Sequence, residues 1–144
     1  MTAKQYLRQL RRLDLTINAK LVQLDELRSL ALKITPSPDP AGGGRKTSKD
    51  RICGVVAKIV DLEREIDRKI DRLVSLKKEA MERIDGLDDD NLRLVLAHRY
   101  INGRTWCEVA YELGCTPQWA HKLHARALTE FEQKYGAVLT VDRS

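Results

Sequence analysis

Aromatic side chains are scarce in this 144-residue chain: they make up 5% of it, with a single Phe, and Tyr6 is the only one before Tyr100. So few rings exclude a thick core built around large side chains. Cysteine is also sparse. Cys53, Cys107 and Cys115 are odd in number and form no CxxC pair, which excludes a disulfide framework and favours reduced thiols. Together with His98, His121 and His124 they show no zinc-ligand spacing, so no metal is expected. Long apolar runs are absent: nothing approaches the roughly 18 residues that a membrane span needs. The opening MTAKQYLRQLRRLDLTINAK is broken too often by charge for a signal-peptide core. A cytoplasmic protein of a bacterial cell, away from membranes, is the expectation. The GGG at 42–44 follows no strand, so it is no phosphate cradle, and no nucleophile–base pair stands out. The chain therefore reads as neither an enzyme nor a cofactor carrier.

What remains is aliphatic and charged. Apolar residues make up 42% and charged ones 33%, the profile of an all-α chain that buries narrow seams. The net charge of +5 favours polyanionic partners. Over residues 4–34, Tyr6, Leu10, Leu13, Ile17, Leu24, Leu27, Ala31 and Ile34 mark one helical stripe, with Lys20 as its intruder. Residues 35–50, TPSPDPAGGGRKTSKD, concentrate Pro and Gly and predict a flexible loop. A second long helix is predicted over 51–85. Ile52, Ile59, Ile66, Leu73, Ala80 and Leu87 repeat every seventh residue, with Val56, Ile70 and Ile84 in the companion seam and Glu63 and Lys77 between them. Residues 4–85 thus predict a long helical hairpin or coiled coil, pairing within one chain or between chains of a homo-oligomer. Arg8, Arg11 and Arg12 form a basic cluster that reads first as a solvated face and second as a nucleic-acid surface.

Residues 87–136 form the second predicted part. The acids of IDGLDDDN, residues 84–91, suit a helix start better than a metal site. A helix follows with Leu92, Val95, Leu96 and Tyr100 inward, ended by Asn102-Gly103. Thr105 with Glu108 three residues on forms a capping box for a short helix that Gly114 closes. Thr116 then caps a third helix, with Pro117 at its first position. Ala110 is small where the two helices touch, and Val109, Leu113, Cys115, Ala120 and Leu123 point inward. This is the spacing of a helix-turn-helix, whose last helix presents Gln118, His121 and Lys122 to base edges in a major groove. Trp106 is expected to pack between helices, Trp119 to face the DNA side, and His124 to be exposed or aimed at a phosphate.

Residues 92–131, and above all RYINGRT, EVAYELGCT and HARAL, resemble region 4 of the sigma-70 family, which reads the −35 promoter element. The resemblance implies base-edge contacts from Pro117, Gln118, His121 and Lys122. It implies phosphate contacts near Arg104, Thr105, Thr116 and Trp119, and Arg126 joins them as a further phosphate candidate. Proline and histidine stand where the family often has basic residues, so a standard −35 hexamer is not the implied target. Residues 1–90 lack the aromatics with which the family melts the −10 element. The whole layout is similar to small phage transcription activators of the ArpU and RinA kind. It implies a sequence-specific regulator that binds double-stranded DNA, with RNA polymerase as a further partner. Two other readings remain: a small-terminase-like packaging subunit, and a polymerase-binding module without DNA affinity.

Overall fold

The computed structural model describes residues 1–34 and 48–139, which form helices joined by short turns with no strand among them. The chain is all-α. α1 spans Ala3–Lys33 and α2 spans Ser48–Asp85. α3, Asp90–Leu96, runs on into a π-helical turn, Ala97–Ile101. α4 is Trp106–Leu113 and α5 is Pro117–Tyr135, followed by a 3₁₀ turn at Gly136–Val138. Most of the expected loop, residues 35–47, lies outside the described residues. Its last three residues, 48–50, are already helical, with Asp50 in the first turn of α2 where an acid suits the helix dipole.

Contacts within the chain gather into two compact units. One compact unit joins Met1–Asp14 to Arg72–Ser144, and the other is Leu15–Asp71. The physical reason lies in the first turns of α1. Ala3, Tyr6, Leu7 and Leu10 are buried. The Tyr6 ring stacks on Phe131 of α5 at 6.0 Å between centroids, and its hydroxyl donates to Glu79 of α2 at 2.9 Å. Burying side chains of this size contributes about 1.5–3 kcal/mol each, so these turns belong with the C-terminal helices.

In that first unit α3, α4 and α5 pack on one another. Their core is Leu92, Val95, Leu96, Tyr100, Val109, Ala110, Ala120, Leu123, Ala127 and Phe131, joined by Ala80, Ile84 and Leu87. Asp89 caps α3, accepting from the backbone N–H of Asn91 at 2.8 Å and of Leu92 at 3.3 Å. A side chain on Gly86 would overlap the Tyr135 hydroxyl, and the Lys134 ammonium donates to the Gly86 carbonyl. The junction between α2 and α3 is therefore held against the end of α5.

In the second unit, both polar intruders of the apolar seams find partners across it. Lys20 pairs with Glu65 and Arg28 with Glu63, each at 2.9 Å. The later residue on α1 meets the earlier one on α2, so the helices run antiparallel there. Half-exposed pairs of this kind contribute about 0.2–1 kcal/mol and mainly fix register. Ile17, Leu24 and Ile66 are buried, whereas Leu15, Val22, Leu32, Val56, Val60 and Ile70 are exposed. Two helices alone cover one stripe on each, and this unit leaves much of its apolar surface in water. Among the described residues no helix is long and apolar enough to cross a membrane.

Candidate nucleic-acid interface

The arrangement rests on two caps and one glycine. The Thr105 hydroxyl accepts from the Glu108 N–H at 3.3 Å and donates to the Glu108 carboxylate at 3.1 Å, starting α4. Gly114 ends α4 at φ +65°, ψ +35°, a left-handed conformation that costs a side-chain-bearing residue about 1–2 kcal/mol. Around it the Cys115 N–H donates to the Ala110 carbonyl at 3.0 Å and the Gly114 N–H to the Tyr111 carbonyl at 3.1 Å, the paired bonds of a Schellman turn. Thr116 then accepts from the Trp119 N–H at 3.2 Å, and Pro117 opens α5 where a proline loses no helical bond.

These devices fix which way α5 faces. Ala120, Leu123, His124, Ala127 and Phe131 turn inward at helical spacing. Pro117, Gln118, Trp119, His121, Lys122 and Arg126 are exposed on the other side, as are Arg104, Thr105 and Thr116. Gln118, His121, Lys122 and Ala125 share one face of α5 over two turns. Among the described residues no carboxylate pairs with Lys122 or Arg126. Arg104 is different: it bonds Glu108 at 3.2 Å, and that contact leads the causes holding the Glu108 carboxyl below its ordinary range. Thr105 and Thr116 each spend their hydroxyl oxygen on a cap, so their outward contribution falls to the backbone N–H groups of the helix starts.

His124 departs from expectation. It is buried, not exposed, and its Nε2 lies 2.7 Å from the Tyr100 hydroxyl. Burial, then the positive charges of Lys4, Arg99, His121 and Arg8, push its pKa down to about 4. Burial likewise raises Tyr100. Both groups are therefore neutral near pH 7, and the Tyr100 hydroxyl and the His124 Nε2 share one hydrogen bond. Trp106 packs as expected, edge-on to His124 at 4.7 Å and against the His121 ring at 4.2 Å. Arg99, which sequence reasoning missed, joins this cluster: its guanidinium lies 4.7 Å from the Trp106 centroid and donates to the Arg104 carbonyl at 2.9 Å. The π-helical turn at Ala97–Ile101 puts it there, with the Asn102 N–H reaching back to the Ala97 carbonyl at 3.0 Å.

Fold and site thus define an all-α protein whose last helix is anchored by its inner face and offers a polar, cationic outer one. The chain belongs to the family described as protein of unknown function (DUF1492), whose pattern matches residues 36–132. No curated protein and no solved structure matches the chain. The described residues hold no group of His, Cys, Asp or Glu suited to a metal ion, and the three cysteines are free thiols.

Proposed function

We propose that this protein is a sequence-specific DNA-binding transcriptional regulator, encoded by a phage or prophage, in which α4 and α5 act as a helix-turn-helix. The observation that carries the reading is the division of α5: Ala120, Leu123, His124 and Ala127 buried, and Gln118, His121 and Lys122 exposed together at its N-terminal end. That end enters the major groove. Gln118 reads a base edge, since its amide offers both donor and acceptor, and Lys122 supplies charge. Phosphates are held by Arg126 and by the N–H groups at the starts of α4 and α5 near Thr105 and Thr116. The resemblance of residues 92–131 to sigma-70 region 4 supports the same assignment and adds RNA polymerase as a partner. Self-association through Leu15–Asp71 completes it, because Val22, Leu32, Val56 and Val60 lie exposed there while charges of both signs alternate around them.

The test is a titration of the full chain with labelled duplex over a range of salt. We expect affinity to fall steeply with salt and Lys122→Ala to weaken binding to every duplex. Gln118→Ala should cost about 1–3 kcal/mol on the preferred sequence alone. Unchanged binding in both variants contradicts the reading.

A further inference from the structure

We propose that Lys4, Arg8 and Arg11 of α1, together with Arg99, form a second phosphate-binding surface that grips the DNA backbone beside the reading end of α5. The proposal rests on the DNA-binding reading above and extends it to the first turns of α1, far from residues 92–131 in sequence.

Lys4, Arg8 and Arg11 stand at i, i+4 and i+7, so they form one stripe on α1. The neighbouring face, Ala3, Tyr6, Leu7 and Leu10, is buried, and the stacking of Tyr6 on Phe131 fixes how the stripe is presented. Lys4 and Arg8 are exposed. Arg11 is half-buried, and its Nη1 is shut off from solvent with no acceptor, which protein folding alone does not favour.

Charge makes the patch unusual. Residues 1–13 contain no acid, so the first turns of α1 oppose the helix dipole, which prefers carboxylates there. Arg99 is lowered first by burial and then by Arg11 and Arg8. The charged side chains acting on His124 are Lys4, Arg99, His121 and Arg8, all basic. A merely solvated face carries both signs, as Asp67, Arg68, Lys69 and Asp71 do on α2. Gathering like charges here works against folding, and a row of phosphates would offset that cost. Continuity with the reading helix comes through Trp106, whose ring lies against both the Arg99 guanidinium and the His121 ring. That continuity selects the DNA backbone as the ligand.

The experiment measures how binding of a labelled random-sequence duplex depends on salt. It compares the full chain with Lys4→Gln/Arg8→Gln, Arg8→Gln/Arg11→Gln and a charge-matched control, Arg64→Gln/Arg68→Gln. Each lost phosphate contact lowers the log–log slope by about 0.9, so each α1 double variant should lose about 1.8 and the control nothing. Thermal melts check folding. If Arg8→Gln/Arg11→Gln is unfolded, the exposed pair Lys4→Gln/Arg8→Gln decides. If the α1 variants keep the parental slope while Lys122→Ala weakens binding, this surface is refuted and the α5 reading survives. If the parental chain shows no salt-dependent binding, both fall.

Discussion

His124 is the residue whose environment constrains the site most tightly. It sits among Tyr100, Trp106 and the cations of α1, and it is neutral in the folded chain. An unfolded chain protonates this imidazole near pH 6.5, whereas the folded chain resists until about pH 4. The unfolded state therefore binds the extra proton first. The stability that His124 contributes is complete above about pH 6.5 and is lost as pH falls toward 4, by about 2 kcal/mol once screening is allowed for. His124→Gln should flatten that part of a stability-against-pH curve measured by denaturant titration. An unchanged slope between pH 6.5 and 4 would contradict the assignment. The inward direction of His124 was legible: it falls on the stripe Ala120, Leu123, Ala127 and Phe131 at helical spacing. Its flanking by Leu123 and Ala125 in sequence obscured that, because the two neighbours differ: Leu123 turns inward with it and Ala125 is exposed. Arg99 was not legible, since the π-helical turn that redirects it leaves no periodic mark.

At the scale of single elements, local chemistry carried most of the information. Thr105, Gly114, Thr116 and Pro117 act within four residues of themselves, so their spacing alone predicted the start and end of α4 and the start of α5. Their energetic weight can be checked together. Gly114 has open space around it, so Gly114→Ala costs only its left-handed backbone, about 1–2 kcal/mol. Thr116→Ala removes a cap worth about 1 kcal/mol. Chemical denaturation of the two single variants should give losses of this size, and the double variant close to their sum or somewhat less, because the sites are neighbours. A neutral Gly114→Ala would mean that the turn is not the one described. What α1 packs against was beyond reach for the opposite reason. Tyr6, Leu10, Leu13 and Ile17 mark one continuous stripe, and periodicity tells which face is buried but not what covers it.

At the scale of the whole chain, α1 and α2 each contribute to both compact units, and the heptad repeat that runs along α2 to Leu87 just past its end is buried at Ile66, Leu73, Ala80 and Leu87 but only half-buried at Ile52 and Ile59. A thin two-helix unit with Val22 and Val60 in water is expected to associate with a second copy. Sedimentation equilibrium should show a dimer or larger assembly, and Val22→Lys/Val60→Lys should shift it toward monomer without loss of helicity. A parental chain that stays monomeric at high concentration would rule this out.

The central claim is that the N-terminal end of α5 lies in a major groove. Dimethyl sulfate protection reads that groove directly, because guanine N7 is exposed there. On DNA flanking the gene for this chain, the account predicts a short run of protected guanines that disappears in Gln118→Ala/Lys122→Ala while nonspecific, salt-sensitive binding persists. Full methylation of every guanine at saturating protein, or protection that survives the double variant unchanged, would contradict it.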